Sequence, residues 1–137
     1  MSKSLNDLKE AFAGESQANR KYLAYAAAAE KEGLVGVSKL FKAAAAAETV
    51  HAHSHLRTMK GIGSTADNLK DAIAGETHEF KSMYPAMIED AKAEGDKAAE
   101  RSFTYANEVE KIHAELYTAA AKDPAAYPDQ DWYVCSV

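Results

Sequence analysis

The chain repeats itself once, and that repeat limits the folds open to it. AFAGESQANRKY at Ala11–Tyr22 matches AIAGETHEFKSMY at Ala72–Tyr84. EKEGL at Glu30–Leu34 matches KAEGD at Lys92–Asp96, and Leu40-Phe41 precedes ETVH as Ser102-Phe103 precedes EKIH. The offset stays at about 61–62 residues, and two copies are too few for a solenoid. Breakers split each copy into two long segments, none with the alternation of a strand. The first has an N-cap candidate at Ser4, with Asp7 three residues on, and runs to Gly33 and Gly36. The second runs from about Val37 to Lys60 and stops at GIGS. The third starts near Thr65, again a cap candidate, and ends at Gly95; the fourth runs from Asp96 to just before Asp123-Pro124. At roughly 24–30 residues, each helix is on the order of 40 Å long. Pro85 falls inside the third and should kink it, leaving the Lys81 carbonyl without its usual donor. The predicted fold is all-α: a duplicated helical hairpin forming a four-helix bundle over residues 1–122, followed by a tail, 123–137.

Composition narrows the function. With 137 residues the chain fits one domain, and its three prolines and seven glycines leave room for long helices. A net charge of −5 without a basic run argues against a nucleic-acid partner. No stretch is long and apolar enough to span a membrane. MSKSLNDLKE lacks the apolar region of a signal peptide, so a cytoplasmic protein is expected. Cys135 is the sole cysteine, which excludes an internal disulfide framework and leaves a free terminal thiol.

At 100° per residue, the apolar stripe of each helix is interrupted by glutamate. In the first helix it reads Leu5, Leu8, Phe12, Glu15, Tyr22, Ala26; in the second, Leu40, Ala44, Glu48, His51, His55. In the third it reads Leu69, Ile73, Glu76, then Glu79 or Phe80, then Met83 or Met87, with both methionines taken as core. In the fourth it reads Phe103, Ala106, Glu110, His113, Tyr117. Carboxylates gathered in a low dielectric repel and lose hydration, so they take up protons or neutralise a cation. Two E-x-x-H pairs, Glu48/His51 and Glu110/His113, favour the cation. At i and i+3 both side chains project from one face toward a common ion. One such pair is commonly a chance surface pair. Two inside a repeat, each preceded by a matching A-G-E, mark a dinuclear metal site. Mixed oxygen and nitrogen ligands suit iron, manganese or zinc.

AFAGESQANRKY, AETVHAHSH, AIAGETHEFKSMYP and EVEKIHAELY resemble, in order, the motifs of the rubrerythrins, a ferritin-like di-iron family. The resemblance covers about residues 4–122. It implies that Glu48 and Glu110 bridge two metals, that Glu15 is a terminal ligand of the first, and that Glu76 and His113 are terminal ligands of the second. Glu79 has no counterpart in the first half, where the matching residue is Ala18. In the family the first iron exchanges a histidine for such a glutamate on oxidation, and the similar pair here is His51 and Glu79. Four glutamates match the charge of two ferrous ions; recruiting Glu79 follows the charge gained on oxidation. Tyr22 and Tyr84 pack in a core on composition alone; by resemblance they donate hydrogen bonds to the ligating carboxylates. His53 lies roughly 140° round the helix from Glu48 and should face solvent or a neighbouring chain. His55 returns to the inner stripe beyond reach of the same ion.

The tail DWYVCSV resembles the entry to a rubredoxin domain, cut off at Cys135. One cysteine cannot supply the four thiolates of such a centre. The loop Gly61–Ser64 is short for a ferritin-like bundle, whose second and third helices run parallel. Aligning Glu48 and Glu76 at one site separates the helix ends by roughly 34 Å, whereas six loop residues reach about 20 Å. A domain swap between two chains of a homodimer resolves the conflict; an up-down-up-down bundle also fits the loop.

The resemblance implies a peroxidase for oxidative-stress defence. It would reduce hydrogen peroxide to water with a di-iron centre, fed by an external rubredoxin-like donor and ultimately NADH. Fe/Fe is the expected pair, with Fe/Zn, Fe/Mn and Mn/Mn open to the same ligands. Two rivals stand beside it: a ferroxidase of the ferritin class, and a non-enzymatic bundle stabilised by metal.

Overall fold

The computed structural model describes residues 2–135. They form five α-helices and one π-helical turn: α1 Lys3–Lys31, α2 Val35–Thr58, α3 Thr65–His78, the π turn Glu79–Met83, α4 Tyr84–Glu94 and α5 Lys97–Lys122. No strand occurs among the described residues. The chain forms two compact units, one up to Ile62 and the other from Gly63. Each is a helical hairpin. In the first, α1 packs along α2; in the second, α3, the π turn and α4 pack along α5.

The helix ends follow capping chemistry. Ser2, not Ser4, caps α1, its hydroxyl accepting from the Leu5 N–H at 3.3 Å. Ser64, not Thr65, caps α3: its Oγ accepts from the Asp67 N–H at 3.2 Å and donates to Asp67 Oδ2 at 2.6 Å. Asp96 caps α5 through the N–H groups of Ala98 and Ala99. At α1 and α4 the C-terminus closes with a glycine of positive φ, Gly33 (78°) and Gly95 (72°). The following N–H groups, from Leu34 and Asp96, reach back to Ala29 and Ala91. This is the Schellman closure. α2 closes the same way with Lys60 at φ 57°, a strained choice for a residue with a Cβ.

Pro85 meets a local change in the helix rather than a regular α-helical turn. The helix widens one step earlier, where the Tyr84 N–H donates to the Glu79 carbonyl five residues back. Pro85 then sits in the first turn of α4, where its missing N–H costs little. The repeat shows why. Gly14 and Glu15 precede Gly75 and Glu76 by 61 residues, but Tyr22, Gly33, Glu48 and His51 precede their partners by 62. One extra residue lies between Glu76 and Tyr84, and a single insertion in a helix is accommodated as a π bulge.

The hairpin interiors are built from alanine. Ala26, Ala29, Ala45 and Ala52 are buried in the first unit, Ala91 and Ala114 in the second, and among the described residues no large side chain is fully buried. Leu40, expected on the inner stripe, is 68% exposed, and Met87, expected in a core, is 37% exposed. A polar pin joins α1 to α2. The buried Asn19 donates Nδ2 to the Ala45 carbonyl at 2.7 Å and to Thr49 Oγ1 at 2.8 Å. Its Oδ1 accepts from Arg20 at 2.9 and 2.6 Å.

Candidate metal centre

In the first unit Glu15 of α1 meets Glu48 and His51 of α2. The one-turn spacing of Glu48 and His51 brings His51 Nδ1 to 2.8 Å from Glu48 Oε2, and hairpin pairing brings it to 3.1 Å from Glu15 Oε2. The second unit repeats the arrangement. His113 Nδ1 lies 2.8 Å from Glu110 Oε2 on α5 and 3.6 Å from Glu76 Oε1 on α3. In each group the three ligand atoms lie within 4.8 Å of one another. The side chains of Glu48, Glu76 and Glu110 are only 19%, 19% and 17% exposed, so solvent alone does not neutralise them.

Electrostatics respond accordingly. In the first group the hydrogen bonds that His51 donates to Glu48, then to Glu15, raise its pKa above the ordinary imidazole value. The Glu48 carboxyl is held below its usual range by its hydrogen bonds with Glu15 and His51. In the second group burial, then the nearby Glu110 carboxyl, pushes Glu76 up. A cation in either place relieves the same strain that the apoprotein relieves with protons.

Glu79 begins the π turn, half-buried and outside both triads, yet close enough for its charge to act on Glu76 and Tyr84. Tyr84 is half-buried, and burial together with Glu110, Glu79 and Glu76 raises its phenol pKa. That phenol stays protonated beside three carboxylates. Tyr22 packs its ring against Tyr25 and Phe41, with centroids 6.4 and 6.1 Å away. His53 is exposed and His55 half-buried; neither joins a triad. Cys135 is an exposed free thiol. Asn19 was not singled out from the sequence. It stands four positions after Glu15 with a second amide, Gln17, two residues before it, so no local pattern set it apart.

A family model for Rubrerythrin matches residues 6–121. The chain belongs to the rubrerythrin family. Rubrerythrin-2 of Clostridium acetobutylicum is 40% identical over 147 residues, covering 95% of this chain and 80% of that protein. Nigerythrin of Nitratidesulfovibrio vulgaris is 35% identical, covering 97% of this chain and 73% of that protein. A solved structure of nigerythrin in its fully reduced, all-ferrous state aligns with a TM-score of 0.50 at 36% identity, over 96% of this chain and 71% of that one. The fold of this rubrerythrin is thus the all-α, ferritin-like class that the repeat and the resemblance implied. Among the described residues no helix is long and apolar enough to cross a membrane. The two Glu/Glu/His groups fit a di-iron centre: carboxylate oxygens and neutral imidazole nitrogens are the donors that divalent iron takes.

Proposed function

We propose that this rubrerythrin is a non-haem di-iron peroxidase that reduces hydrogen peroxide to two waters, taking two electrons and two protons per turnover. The observation that carries this reading is the pair of Glu/Glu/His groups with Glu79 beside the second. A bound pair of ferrous ions supplies both the electrons and the Lewis acidity that weakens the O–O bond.

The residues divide the work. Glu15, Glu48, Glu76, Glu110 and His113 would hold the metal pair, their carboxylates offsetting its charge. His51 and Glu79 would offer the metal a neutral and a charged donor, and the charged one would be favoured as positive charge accumulates. Glu79 lies on a π turn, whose widened hydrogen-bonding leaves its side chain free of the ideal α-helical register. Tyr84 holds its proton at Oη and orients the carboxylates around it. A rubredoxin-like protein, itself reduced from NADH, returns the electrons.

The complete centre forms, in this reading, between two chains. Glu48 stands ten residues before the end of α2, and Glu76 eleven after the start of α3. Set at one height, the helix ends are roughly 32 Å apart. The six residues Met59–Ser64 span about 20 Å. Helices α1 and α2 of one chain therefore pair with α3–α5 of its partner in a swapped homodimer.

Stopped-flow oxidation of the di-ferrous protein tests the activity. Faster oxidation by hydrogen peroxide than by dioxygen is expected; equal or slower reaction with peroxide sinks the peroxidase reading.

A further inference from the structure

A half-open apolar cavity of about 290 Å³ lies against His113. Leu69 of α3 and Leu116, Tyr117 and Ala120 of α5 form its walls. Tyr127 and Trp132, from the segment that follows α5, complete it. His113, Leu116, Tyr117 and Ala120 share one face of α5, so the apolar wall begins at the candidate ligand and runs on for two turns. The His113 and Tyr117 rings stand 6.5 Å apart, centroid to centroid.

Hydrogen peroxide has no use for such a wall, because it carries no apolar surface to bury. An apolar cavity of roughly 150 Å³ is enough to take a benzene ring. The space beside His113 is larger and admits a phenyl or short alkyl group. We infer, on the peroxidase reading above, that the site also reduces organic hydroperoxides, with the hydrocarbon group in this cavity and the hydroperoxide end toward His113. The O–O bond breaks, two electrons and two protons enter, and an alcohol and one water leave. The electrons are those the same site gives to hydrogen peroxide, and the protons come from solvent.

Trp132 is the chain's only tryptophan and lines the cavity, so its fluorescence reports occupancy without metal. Titrating the metal-free protein with 2-phenylpropan-2-ol, the product from cumene hydroperoxide, should give a saturable change. Ala120→Phe fills the space and should weaken that binding by about tenfold or more. In iron-loaded protein, stopped-flow rates with cumene hydroperoxide should fall within about tenfold of those with hydrogen peroxide. Their ratio should drop at least about tenfold in Ala120→Phe. Leu116→Phe serves as a second filling variant if circular dichroism shows that Ala120→Phe has not folded. An inert cumene hydroperoxide beside an active hydrogen peroxide overturns the inference and leaves the peroxidase reading standing. A fluorescence signal that never saturates overturns it too. If both oxidants are inert, the peroxidase reading falls and the organic substrates with it.

Discussion

His51 Nδ1 lies 2.8 Å from Glu48 Oε2, and His113 Nδ1 lies the same distance from Glu110 Oε2. The two halves of the chain thus present one carboxylate–imidazole geometry twice. In the first half Glu15 approaches to 3.1 Å, whereas in the second Glu76 stays at 3.6 Å. The second half also carries Glu79 on its π turn, which the first lacks.

That asymmetry makes Glu79 the residue to remove first. Glu79→Ala is expected to keep two irons per site, because the six triad ligands remain. Peroxide turnover should fall by about 10–100-fold. Elemental analysis beside stopped-flow kinetics checks both halves of the statement, and loss of metal with activity would assign Glu79 a holding role instead.

Glu110→Ala should behave differently. It removes a partly buried carboxylate that both His113 and Glu76 face. Metal content should drop, and the rise in melting temperature on adding ferrous iron should shrink toward zero, since ligand-linked stabilisation requires binding. Thermal melts with and without iron measure this. An unchanged shift would place the ion elsewhere.

The Ser64–Asp67 cap yields a stability prediction. Ser64→Ala removes the Oγ that accepts from the Asp67 N–H and should cost about 1 kcal/mol. Hydrogen bonds from Ser64 hold the Asp67 carboxyl below its ordinary range. Its folded pKa lies below the unfolded one, so the contribution is present above the unfolded value and is lost as pH falls through the folded value. Urea melts across the acid range should therefore show a shallower acid loss in Ser64→Ala than in the parent.

The proposed domain swap rests on loop length. Inserting about 20 flexible residues between Lys60 and Gly61 lets one chain span the roughly 32 Å between helix ends. The swapped homodimer should then give way to a smaller species that still binds two irons, read by light scattering and metal analysis. A parent structure in which one chain supplies every helix of a centre would contradict the swap directly.

The sequence by itself determined the four long helical segments and the spacing of the ligand pairs. Those properties are local. Hydrophobic period, capping and the i, i+3 geometry of E-x-x-H act over one or two turns, so Glu48/His51 and Glu110/His113 were legible at once. The one-residue slip between repeats was also written there, as the extra residue before Tyr84, although its meaning as a π turn became visible only with the backbone. Tertiary structure decided the rest. Glu15 reaches His51 across 36 positions because Gly33 turns the chain and alanines such as Ala26 and Ala45 fill the hairpin interior. Asn19 pins the same pair of helices through the Ala45 carbonyl. Tyr127 and Trp132 meet His113 in one cavity for a similar reason: the segment after α5 folds back along its own unit. No pattern in the tail announces that contact, because it depends on which apolar face of α3 and α5 is left open for the tail to cover.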